Sequence, residues 1–198
     1  RLWTWQALAH GAECVSYFRW RQAPFAQEQF HAGLNLPDNS GLSPGGEEAT
    51  LVGRELLELG PLPEMAPSDV ALVFDYESAW MTRIQPQGQD FLYYELAYRW
   101  YEAVRRLGLN VDIVPPGAPL TAYKLVLVPC LMHASDAAVQ AFEACKGVVV
   151  FGPRSGSKTR HQAIAEGLPP GGLKPFLGIR IKEVSSLRPG LTKQVTGA

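Results

Sequence analysis

The stretch DVALVFDY, residues 69–76, decides the fold. Its centre, Val70 to Phe74, is apolar at every position. A strand with one face in water alternates apolar and polar residues, whereas a strand covered on both faces does not. Two later runs read the same way: KLVLVP (124–129) and GVVVFG (147–152). NVDIV (110–114) is a further strand after a tight turn, and FLGIRIKEV (176–184) alternates like a less buried one. Between them lie helical patterns. DFLYYELAYRWYEAVRRLG (90–108) reads as a long helix capped by Asp90 and ended by Gly108, with Leu92, Leu96, Trp100, Val104 and Leu107 on one face. SDAAVQAFEACKG (135–147) reads as a helix with Ser135 as its cap and Gly147 as its stop. Strand, helix, strand, strand, helix, strand predicts an α/β fold: a mostly parallel sheet with helices on both faces.

Upstream, PLPEMAPSD (61–69) is a proline-rich linker, and the domain boundary is expected at residues 60–68. RLWTWQALAHG (1–11) reads as a helix with Leu2, Trp5, Leu8 and Ala9 on one stripe and Gly11 as C-cap. CVSYFRW (14–20) is β-branched, aromatic and short, which predicts a strand. Residues 21–45 are loop-like. A helix is expected over 46–60, capped by Ser43 with Pro44 at its first turn and Leu51, Val52, Leu56 and Leu59 as its apolar face. This βα piece is too small to be a domain alone. The chain starts at Arg1 inside a helical pattern and stops at LTKQVTGA with no signal of its own, so it is expected to be a piece of a longer protein.

The chain has 198 residues, 46% of them apolar and 19% charged, as expected for a globular protein with a real core. Its formal net charge is −1, which argues against a broad nucleic-acid footprint or a basic membrane patch. No run approaches the roughly 20 apolar residues of a membrane span. The three cysteines, Cys14, Cys130 and Cys145, fit neither a zinc pattern nor a disulfide framework; free buried thiols in a reducing, cytoplasmic compartment are expected.

Three motifs could carry chemistry. GVVVFGPRSGSKT (147–159) approximates a phosphate-binding loop, but Ser157 stands where the second glycine is needed and no extended helix follows. Cys130 follows a strand, with His133 and His161 in the sequence beyond, but Pro129 and Leu131 flank it where a nucleophile elbow wants small residues. Both read better as structure: a Gly-rich turn and a buried thiol. The third is SYFRWRQAPFAQEQFH (16–31), where Tyr17, Phe18, Trp20, Phe25 and Phe30 are interleaved with Arg19, Glu28 and His31. Sugar sites set aromatic faces against the apolar side of the ring and charged or imidazole groups against its hydroxyls. Glu28 and His31, three apart, share a side if they sit on one helical turn.

RLWTWQALAHGAECVSYFRWRQAPFAQEQFHAGLN, VALVFDYES with Trp80 behind it, YKLVLVP and VVVFGPRSGSKT together resemble the family 42 glycoside hydrolases, which are β-galactosidases. The likeness runs in order over nearly the whole chain. It implies that residues 1–60 are the last βα unit of a (β/α)8 catalytic barrel, 61–68 a linker, and 69–198 most of a flavodoxin-like trimerisation domain. That domain is similar in fold to class I glutamine amidotransferases, but Gly152-Pro153-Arg154 stands where those enzymes carry their nucleophilic cysteine. The resemblance carries over Phe18, Glu28 and His31 as galactose contacts, with Arg19 and Trp20 given only rim or packing roles. It implies a homotrimer acting on terminal β-D-galactosyl residues with retention, no cofactor and no metal. Both catalytic glutamates of the family lie upstream, so no catalytic residue is expected in this chain. The alternative is a stand-alone flavodoxin-like assembly or ligand-binding module without enzymatic activity.

Overall fold

The computed structural model describes residues 1–188 and 190–194. Two compact units are present, Arg1–Ala66 and Pro67–Ala198. In the first, α1 spans Leu2–Ala9 and α2 spans Pro44–Leu59. The Trp5 indole N–H donates to Glu55 Oε2 at 2.9 Å, joining the two helices. Ser43 caps α2: its hydroxyl accepts from the Gly46 N–H at 3.2 Å and donates to the Gly33 carbonyl at 2.6 Å. Pro44 opens the helix, where a missing N–H costs nothing. Ser43→Ala removes the cap and leaves Gly33 without its donor, so it should cost about 1–2 kcal/mol in urea unfolding, with Ser43→Thr recovering most of it.

Of the four residues expected on the apolar face of α2, Val52 is buried and Leu56 half-buried, while Leu51 and Leu59 are exposed. Residues 1–66 supply only one other helix to cover that face. The strand expected over 14–20 does not form. Arg21 makes an isolated parallel bridge to Asn35, and residues 14–20 are otherwise irregular. A strand is defined by its neighbours, and 33–35 is too short to act as one.

In the second unit four strands, β1 Val70–Val73, β2 Val111–Val114, β3 Leu125–Val128 and β4 Val148–Phe151, form one all-parallel sheet in the order β2-β1-β3-β4. α3 spans Tyr76–Ile84, α4 Tyr93–Arg106 and α5 Asp136–Ala144. Alternate residues of the strands serve opposite faces. Ala71, Val73, Val126 and Val128 pack with Ala138 and Phe142 of α5. Val70, Leu72 and Leu127 pack with Val104 of α4, and Trp100 leans on the same cluster. This accounts for the unbroken apolar run of β1, all four of whose residues are buried.

The sequence reading missed α3. Asp75 caps it, accepting from the N–H groups of Glu77 and Ser78 at 3.2 and 2.9 Å. α4 begins at Tyr93 with no side-chain cap, so Asp90 does not cap it. Its fully buried residues are Tyr93, Ala97 and Val104; of the stripe expected, Val104 is buried, Leu96 and Trp100 are half-buried, and Leu92 and Leu107 are exposed. The Tyr93 hydroxyl accepts from the Asp75 N–H at 2.6 Å and fixes that ring inward. The strand expected at 176–184 is absent. Phe176 and Leu177 end a short helix, α6 Lys174–Leu177, Gly178 closes it at φ 62°, and the rest has no ladder partner.

Three turns at the C-terminal edge of the sheet are bound to one another by buried serines. The Met132 N–H donates to Ser78 Oγ at 2.8 Å, and Ser78 Oγ donates to Asp75. The Leu131 N–H donates to Ser155 Oγ at 3.0 Å. No helix among the described residues is long and apolar enough to cross a membrane.

Candidate functional site

The helix cap at Ser43 is the first link in positioning residues 18–31. Ser43 N–H donates to the Leu34 carbonyl at 2.9 Å, which holds 33–35 against α2. Leu34 and Asn35 in turn donate through their N–H groups to the carbonyls of Arg19 and Trp20 at 2.8 and 2.9 Å. The approach is close: a Cβ on Gly33 would stand 2.5 Å from the Arg21 Cα, so only glycine fits. The backbone at 19–21 is thereby fixed without a strand.

The loop beyond folds back onto this anchor. The His31 N–H donates to the Glu28 carbonyl at 3.0 Å, closing a turn that puts both residues on one short bend. Arg19 binds this turn twice, through Nη1 to the Glu28 carbonyl at 3.3 Å and through Nη2 to Glu28 Oε2 at 3.0 Å. The Gln22 side chain donates to the Gln29 carbonyl. The Arg19 guanidinium also lies 4.7 Å from the centre of the Phe18 ring, and the Phe18 and His31 rings meet edge-on at 6.4 Å.

Phe18, Glu28 and His31 are therefore brought together, with Arg19 as the hub. Phe18 is 68% exposed and the Glu28 side chain 53%, while the Arg19 side chain is only 21% exposed. The cluster thus offers an aromatic ring, a carboxylate and an imidazole to a ligand, and keeps the cation behind them. Sequence reading gave Arg19 only a rim or packing role. The available signal was its nine-residue separation from Glu28, which becomes a contact only once the loop has folded. Trp20, Phe25 and Phe30 are exposed and make no ring contacts among the described residues. No group of three or more His, Cys, Asp or Glu suited to a metal occurs among the described residues.

The two other motifs take structural roles. Cys130 is 1% exposed and packs among Ala79, Met81, Tyr93, Ala97 and Met132. Burial pushes its thiol up to about 12, only partly opposed by the charge of Arg154, so it is not a thiolate at neutral pH. Cys14, expected buried, is exposed. Iodoacetamide should leave Cys130 unlabelled in the folded protein and label it after guanidinium unfolding, as read by peptide mass spectrometry; labelling without unfolding would show an open site.

In GPRSGSKT the amides that would have to cradle a phosphate are already used. The N–H groups of Gly152, Gly156 and Lys158 donate to the carbonyls of Val128, Leu131 and Met132 at 2.7, 2.8 and 2.9 Å, and that of Ser157 donates to Arg154 at 3.3 Å. The loop is sewn to the end of β3.

Comparison with known proteins matches the chain to one family. Residues 1–59 match the family model described as β-galactosidase, and residues 68–198 the model described as β-galactosidase trimerisation domain. The β-galactosidase BgaA of a Thermus species is 55% identical over 197 residues, covering 100% of this chain and 30% of that protein. A β-galactosidase of Thermus thermophilus is likewise 55% identical, over 198 residues, again covering 100% of this chain and 30% of that protein. The crystal structure of the β-galactosidase from the psychrophilic Marinomonas ef1 superposes with a TM-score of 0.87 at 45% identity, over 96% of this chain and 30% of that one. The chain thus spans about 30% of the length of the curated relatives it matches. With both of its units matched in order, the chain belongs to the family 42 β-galactosidases and includes their trimerisation domain.

Proposed function

We propose that the protein of which this chain forms part is a retaining β-galactosidase of the cytoplasm, acting on terminal β-D-galactosyl residues. Phe18, Glu28 and His31 form one wall of its galactose subsite. The observation that carries the reading is the Arg19-centred cluster. Phe18 offers a ring face to the apolar side of a sugar, and Glu28 and His31 offer polar groups to its hydroxyls. Arg19 fixes the carboxylate in position before a ligand arrives, so the ligand does not bear that ordering cost.

In this reading residues 1–60 are the end of a (β/α)8 barrel, whose sites lie at the C-terminal ends of its strands. The second unit is a flavodoxin-like domain that assembles a homotrimer. The all-parallel order β2-β1-β3-β4 supports the flavodoxin-like assignment, and the trimerisation model matching 68–198 supports the assembly. Retention requires two carboxyl groups roughly 5–5.5 Å apart. As the family resemblance implies, that pair belongs to the earlier part of the barrel, and Glu28 is not one of them.

The intact natural protein should release the phenol from an aryl β-galactoside and yield β-galactose first by proton NMR. Residues 1–198 alone should show no turnover above buffer. An intact protein that is silent on β-galactosides, or that releases α-galactose first, overturns the reading.

A further inference from the structure

We infer that the cavity beside the β4 turn, between Arg154 and Lys158, binds the carboxylate of a small organic acid with an apolar body. The cavity lies wholly within the second unit and has a volume of about 410 Å³. That is within the usual range for small-molecule sites, roughly 300–1,000 Å³. Two cations stand in its wall and no aspartate or glutamate does. Neither Arg154 nor Lys158 is in an ion pair among the described residues. Concave walls with uncompensated positive charge attract an anion.

The hydrogen bonding of the two cations is incomplete in a particular way. Lys158 Nζ donates to Gln85 Oε1 at 2.7 Å, and Arg154 Nη2 donates to the Gln85 carbonyl at 3.3 Å. Arg154 Nη1 is buried and has no acceptor. A buried donor without a partner is costly, more so when charged. Arg154 is also held at φ 65°, a left-handed conformation that a residue with a Cβ adopts only when its surroundings impose it. The neutral Gln85 Oε1 thus occupies a position on Lys158 where a carboxylate would bond far more strongly. A ligand that displaces the Gln85 side chain gains the Lys158 ammonium, with the Arg154 guanidinium in the same wall.

The rest of the lining decides the ligand's body. Three prolines with Ile164, Ile181 and Val184 make up half of the lining residues, beside two glutamines and two serines that carry no charge. A bare oxyanion leaves that surface in water, whereas a compact hydrocarbon attached to the carboxylate covers it. This site is independent of the galactose reading of residues 18–31.

The test titrates the intact natural protein with benzoate by calorimetry, against benzyl alcohol and inorganic phosphate. Benzoate should bind, and both controls should bind about tenfold more weakly or worse, since each lacks one half of the recognition. Lys158→Met and Arg154→Gln, checked for folding by melting temperature, should each weaken benzoate by about tenfold or more. If Arg154→Gln fails to fold, Lys158→Met decides, because among the described residues the only partner of its ammonium is the Gln85 side chain. Absence of benzoate binding at millimolar concentrations overturns the inference. So does binding unchanged in a folded variant, benzyl alcohol binding equal to benzoate, or phosphate binding as tight as benzoate.

Discussion

Gly156→Ala should destabilise the second unit by more than about 3 kcal/mol, a fall of roughly 10 °C in melting temperature. Two penalties add. Gly156 has φ 70°, a left-handed conformation that costs a residue with a Cβ about 1–2 kcal/mol. A Cβ there would also stand 1.9 Å from the Pro170 carbonyl oxygen and 2.5 Å from its carbon. Those are backbone atoms of a fully buried residue, so no flexible side chain can swing aside. The Gly156 N–H meanwhile donates to Leu131, so relief by moving residue 156 breaks the seam between the β4 turn and the end of β3. Gly53→Ala is the control. Gly53 lies within α2 with no atom within 4 Å of a Cβ, so alanine should stabilise by about 0.5–1 kcal/mol through helix propensity. Thermal unfolding of both variants followed by circular dichroism gives the comparison. A Gly156→Ala protein melting at the parent temperature would mean that the turn is much looser than its packing indicates.

Glu28→Ala and His31→Ala, each in the intact enzyme, should lower kcat/KM on an aryl β-galactoside by about tenfold to a hundredfold while leaving the melting temperature unchanged. A charged hydrogen bond to a sugar hydroxyl contributes about 1.5–3 kcal/mol, which sets that range. The stability side follows from exposure. The Arg19–Glu28 pair sits at the surface with Glu28 more than half exposed, and such pairs contribute about 0–1 kcal/mol to folding. Losing the carboxylate therefore costs function much more than fold. Arg19→Ala separates the two roles of the cluster: it keeps every proposed ligand contact but frees the Glu28 turn, so KM should rise. Unchanged kcat/KM in folded Glu28→Ala or His31→Ala removes that residue from the subsite.

What was legible in the sequence is what depends on neighbours along the chain. The all-apolar run of Val70 to Val73 required cover on two faces, and α4 and α5 provide it. Ser43 and Ser135 cap the helices expected of them, because a cap is decided within three residues. α3 was hidden by the run before it, although Asp75 followed by Glu77 was its signal. The failures are of a different kind. CVSYFRW and FLGIRIKEV have strand composition, but a strand also needs a ladder partner, which composition does not supply. The burial of Tyr93 and Ala97 at the start of α4 goes with a single long-range bond, Tyr93 to Asp75, that no local periodicity records. At the candidate site the residue types marked the stretch 16–31, and the family resemblance singled out Phe18, Glu28 and His31 within it. The hub, Arg19, emerged only from the folding back of the loop.

The serines that join the turns above the sheet bear on how freely this sequence can change. Ser78 and Ser155 meet the main-chain N–H groups of Met132 and Leu131, not their side chains. A hydroxyl that meets a peptide group holds whatever residue carries it. Positions 131 and 132 can therefore drift among apolar residues of similar volume, subject only to the packing around them. Positions 78 and 155 have no such latitude, since a small hydroxyl is the whole of what they contribute. Across natural variants of this chain, substitutions should accumulate at the partners of these two serines and not at the serines themselves.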